Sequence, residues 1–111
     1  MDNDIGVQAI IEAAKNVKDD ELWNLDVTLA ALIFPYMKKF REVRIGHPSP
    51  LRSDEAWDEI LDKIIFSFEA IANDKGNPYD SWIEKAAYDN YELEIQKGLG
   101  LFGVWFRSLW I

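Results

Sequence analysis

Between Glu55 and Phe66 the chain places side chains whose types and spacing suit chemistry. Glu55, Asp58, Glu59 and Asp62 sit three, four and seven residues apart, so on a helix they stack on one face, and Phe66 and Glu69 continue it. Carboxylates one helical turn apart can hold Mg²⁺ for phosphate chemistry. Glu59 and Asp62 form an E-x-x-D pair, which would need a second acidic pair on a facing helix. Glu92 and Glu94 are within reach by sequence, but a spacing of two does not put them on one helical face. Without a metal, the same row is either a plain solvated face or a protein-binding face centred on Phe66 and ringed by carboxylates. It could also imitate a row of phosphates.

A second group is basic. Lys38, Lys39, Arg41, Arg44 and Arg52 cluster around His47, with Glu42 as the opposing charge. Cations near a helix C-terminus suit its dipole, which explains them without a ligand. As a separate pole they would favour head-to-tail or two-fold self-association, so a homodimer is one expectation. His47, the single histidine, lies in "GHPSP" near Ser49 and Ser53. A triad needs an oriented base, a nucleophile and an oxyanion hole, and adjacency in sequence supplies none of them. No catalytic residue is assigned.

The third group closes the chain as "GLGLFGVWFRSLWI". Its glycine pattern lacks the strand before and the long helix after that a dinucleotide loop requires. It is also too short to span a bilayer. Leu99, Phe102, Phe106 and Leu109 recur at three, four and three, which predicts a core helix, with Gly100 and Gly103 admitting a close neighbour. Trp110 and Ile111 fall beyond that stripe and are a possible secondary contact with a partner or a second subunit.

The chain that must position these groups has 111 residues, 49% of them hydrophobic, no cysteine and a net charge of −8. The length suits one domain over residues 1–111. The negative charge argues against nucleic-acid or anionic-membrane binding. No cofactor and no metal is expected.

Strand alternation is nearly absent, and helical spacing occurs four times. The first segment, about Asn3–Lys18, carries Ile10, Ala13, Ala14 and Val17. The second, about Asp20–Ile45, carries Leu22, Leu25, Leu29, Ile33, Tyr36, Phe40 and Val43, and Pro35 within it predicts a kink or break. The third starts at Ser53 or Asp54, with Ser53 as a candidate N-cap and Asp54, Glu55, Asp58 and Glu59 loading the first turns with charge, and runs to about Asn73 on a stripe of Trp57, Leu61, Ile64, Phe68 and Ile71. After the breaker run "NDKGNP" the fourth covers about Tyr79–Trp110, as one helix or as two broken near Asp89. The expected fold is all-α, a compact bundle of about four helices.

Two stretches, "LWNLDVTLAALIFPYMKKFREVRIGHPSPL...WDEILDKIIFSFEAI" and "IQKGLGLFGVWFRSLWI", resemble small uncharacterised helical proteins of bacteriophages and prophages. The likeness spans about residues 22–71 and 95–111 and brings no known activity with it. It implies a phage accessory protein in the cytoplasm of an infected bacterial host. Small phage accessory proteins include inhibitors of host enzymes and of defence systems, anti-CRISPR proteins among them. The expected function is therefore a non-enzymatic protein that binds a host or phage protein through Glu55, Asp58, Glu59, Asp62 and Phe66. One alternative is a Mg²⁺-dependent nucleotide phosphohydrolase, since all-helical nucleotide pyrophosphohydrolases use paired E-x-x-D motifs. The other is a self-assembling structural or replication protein.

Overall fold

A computed structural model of the chain describes residues 2–73 and 85–111, with side chains from residue 6 onward. Among these residues the regular structure is entirely helical. The helices are α1 (Asp2–Ala14), α2 (Leu25–Val43), α3 (Asp54–Ala72) and α4 (Lys85–Trp105), with 3₁₀ turns at Asp19–Leu22 and Phe106–Ser108. Residue 89 lies inside α4, so no break occurs there. Most of "NDKGNP" lies outside the described residues.

α3 is the centre. Ser53 Oγ accepts the amide of Ala56 at 3.1 Å, and Asp54 and Glu55 load the first turn with charge that suits the positive end of the helix. The expected stripe is the buried one: Trp57, Leu61, Ile64 and Phe68 are all at most 5% exposed. α2 packs on one side of α3 and α4 on the other, and the backbones of α2 and α4 do not approach each other. The three helices therefore form a layer. Edge-on ring contacts tie it together, with Trp57 meeting Phe40 of α2 at 6.3 Å and Trp105 of α4 at 5.6 Å.

The fourth helix of the expected bundle stands apart. α1 packs against none of the other helices, and its apolar residues Val7, Ile10 and Ile11 are 51%, 61% and 44% exposed, only Ile10 of them belonging to the expected stripe.

α2 runs through Pro35 as one helix, so the break does not occur. The proline and Ala31, whose carbonyl loses its amide partner, both lie on the exposed side, where water can take the hydrogen bond. Its buried residues are Ala30 and Met37 rather than the Leu25, Leu29, Tyr36 row, which stays 43–65% exposed.

The glycine that lets α4 approach is Gly98, not Gly100 or Gly103. A methyl group on Gly98 would collide with Ser67 Oγ and with the backbone carbonyl of Lys63, whereas Gly100 and Gly103 face open space. Ser67 is wholly buried at this crossing and donates across it to the Ile95 carbonyl at 2.8 Å. The core row of α4 is accordingly Ile95 and Gly98, followed by Leu99, Phe102 and Trp105 packed against the core. Phe106, expected in that core, is 56% exposed, because α4 ends at Trp105 and the 3₁₀ turn swings the next side chain outward.

Candidate functional site

The acidic and basic groups face each other along the α2–α3 interface. Arg44 grips Asp58 with two hydrogen bonds of 2.7 Å, from Nε and Nη2. One turn earlier on α2, Arg41 reaches Asp62 at 2.9 and 3.3 Å and leans to Asp58 at 3.6 Å. Arg44 also lies 3.6 Å from Asp54, which meets His47 Nδ1 at 2.8 Å. The result is an alternating ladder from Asp62 through Arg41, Asp58, Arg44 and Asp54 to His47. Arg41 and Arg44 of the basic group and Asp58 and Asp62 of the acidic group thus form one seam, where their charges offset each other inside the chain. Paired, two-pronged contacts of this kind are stronger and more directional than single surface ion pairs.

The forked hydrogen bonds from Arg44 hold the Asp58 carboxyl below its usual range, against the opposing effect of its partial burial, and the charges of Arg41 and Arg44 add to them. The same contact raises Arg44 above its ordinary value. A carboxyl depressed by folding stabilises the fold above its unfolded pKa, and that contribution fades as pH falls through the lower folded value. Stability should therefore drop on acidification through and below about pH 4. Asp58→Asn should flatten that drop in thermal melts taken from neutral to strongly acidic pH. Equal acid dependence in the variant and the parent would show that the seam does not set it.

Of the five residues expected to bind a partner, all on α3, two are engaged by arginines. Asp58 is held in the seam by Arg44, and Asp62, though exposed, is held by Arg41. Glu55 and Glu59 are exposed on the flank of α3. Phe66 is 39% exposed and meets Tyr91 of α4 edge-on at 6.0 Å. With Asp62, Lys63 and Glu94 it borders a cleft of about 190 Å³. Among the described residues, no group of three or more His, Asp or Glu is placed to hold a metal ion. His47 is oriented by Asp54, but among the described residues no serine hydrogen-bonds its ring: Ser53 caps α3 instead, and Ser49 only shares a cavity of about 360 Å³ with His47 and Trp110. No described helix is long and apolar enough to cross a membrane.

A further feature is one that sequence spacing did not single out. An apolar groove of about 490 Å³ opens between α2 and the C-terminal segment. Leu32, Tyr36, Phe40 and Val43 form one wall, and Phe106 and Ile111 stand on the other. Lys39 is its charged lining residue, and Ile10 touches its rim. Tyr36 is 65% exposed and Ile111 is 67% exposed. The available signal was that α2 carries apolar residues on two rows, more than a single neighbouring helix can cover. Ile111, expected as a secondary contact, lies in this groove and borders the cavity that holds Trp110.

No family model, no curated protein and no solved structure matches the chain.

Proposed function

We propose that the protein is a non-enzymatic interaction protein of bacteriophage type that binds a host or phage protein by receiving an apolar helix in the α2/C-terminal groove. The observation that carries this reading is the groove itself: a long, open, almost wholly apolar trough on a strongly acidic chain. Exposed apolar patches of this kind mark interaction sites, and a trough walled by a helix suits the amphipathic helix of a partner. The resemblance to phage and prophage proteins supports the phage placement. An inhibitor of a bacterial defence system, anti-CRISPR proteins being one example, is the specific role within that class. A phosphohydrolase draws no support from the seam, where Asp58 and Asp62 are already engaged by arginines.

The test is a comparison of captures from bacterial lysate by immobilised protein. Tyr36→Glu puts a charge into the groove at an exposed position, so the fold should survive and the captured protein should be lost. Glu59→Lys, on the flank of α3, should capture as the parent does. If Glu59→Lys or Phe66→Ala abolishes capture while Tyr36→Glu has no effect, the contact surface is the α3–α4 acidic cleft and the groove reading fails.

A further inference from the structure

We propose that, before any partner arrives, the groove is filled by α1 of a second copy of this chain, the two copies exchanging their first helices about a two-fold axis. The inference rests on the groove being a docking surface and names its resident occupant.

The chain carries two unmatched apolar surfaces. One is the groove. The other is the α1 stripe of Val7, Ile10 and Ile11, half exposed or nearly so and packed against none of the other helices. Their lengths agree. α1 has 13 residues, about 20 Å at 1.5 Å per residue, and the α2 wall from Leu32 to Val43 covers about 16 Å. Their charges also agree. α1 carries Asp2, Asp4 and Glu12 with no Lys or Arg inside its bounds. The groove is lined by no carboxylate and by Lys39, with Lys38 beside it in sequence.

Lys18 is extended, and the Asp19–Leu22 turn behind it is fastened to α2 where Thr28 Oγ1 donates to the Glu21 carbonyl at 3.1 Å. α1 is therefore anchored at the N-terminal end of α2, while Val43 lies about 27 Å further along at 1.5 Å per residue. In its own chain α1 meets the groove at Ile10, among the residues whose side chains are described, and packs against none of the other helices, so the trough stays open. The α1 of a second molecule would cover the trough that the chain's own α1 only borders. The exchange is isologous, so every contact occurs twice. Covering the half-exposed stripe and groove side chains in both copies buries on the order of 1,200 Å², which reaches the range of a stable interface.

The absence of cysteine makes the test clean. Wild-type protein should sediment as a dimer at micromolar concentration, and Ile10→Asp, at an exposed position, should sediment as a folded monomer. Mixing an untagged Ile10→Cys chain with a tagged Tyr36→Cys chain under mild oxidation should give a disulfide-linked pair of one tagged and one untagged chain. A monomeric wild type, or an Ile10→Asp variant that stays dimeric, overturns the exchange. So does an Ile10→Cys/Tyr36→Cys double variant that closes only within one chain. None of these results touches the capture of a foreign protein, so the groove reading stands or falls separately.

Discussion

Gly98→Ala should cost the protein much of its stability, although alanine is the better helix former. The added methyl would meet Ser67 Oγ and the Lys63 carbonyl at the α3–α4 crossing. The hydroxyl can rotate, but only by giving up its bond to the Ile95 carbonyl, and the Lys63 carbonyl belongs to a helix and cannot move alone. Overpacking of this sort costs about 1–3 kcal/mol, with the lost buried hydrogen bond adding about 1. The gain from replacing glycine in a helix is about 1 kcal/mol. A net loss of about 2 kcal/mol or more is expected, which for a domain of this size lowers Tm by roughly 10 °C. Gly100→Ala is the control, since that glycine faces open space on the exposed side of the same helix. It should hold or raise Tm. If the two variants melt alike, the close crossing at Gly98 is not what sets the α3–α4 distance.

Trp57→Ala should be at least as damaging. Trp57 is 2% exposed and touches rings on both neighbouring helices, Phe40 and Trp105, although the backbones of α2 and α4 do not approach each other. Truncating a buried tryptophan costs about 3–5 kcal/mol against a total of about 5–15. The urea midpoint should fall sharply, and the variant should be only partly folded at 37 °C. Trp23 and Trp110 are 83% and 74% exposed, and their alanine variants should unfold at the parent's midpoint. An unchanged midpoint for Trp57→Ala would mean that the layer is held elsewhere.

How far the sequence carried depended on whether a feature lies within one helix or between two. α3 was legible in full because its cap, its charged first turn and its single stripe are all local patterns. Arg41, Arg44, Asp58 and Asp62 of the seam were visible too, but as two separate surfaces. Arg44 and Asp58 are 14 positions apart and Arg41 and Asp62 are 21 apart, and helical spacing says nothing about which faces of two helices will meet. α2 offered two apolar rows, and the choice of which row faces α3 was made by tertiary packing. That choice buried Ala30 and Met37 and left Tyr36 and Val43 to the groove. Phe106 fits the periodic stripe, yet the helix ends one residue before it. Gly98 was passed over because the other two glycines stood at the more suggestive spacing.

The layered arrangement has a consequence for how the chain assembles. Among the described helices each packed pair, α2 with α3 and α3 with α4, joins neighbours in sequence, and no packed pair skips over another described helix. Little loop entropy is lost before native contacts begin to form, the condition under which small helical domains fold fastest. During synthesis the α2–α3 hairpin, with its seam and the Phe40–Trp57 contact, is complete once residue 72 has emerged. Until α4 follows, one side of Trp57 and the Ser67 notch stay open. The hairpin is thus the template on which the last third of the chain is laid down.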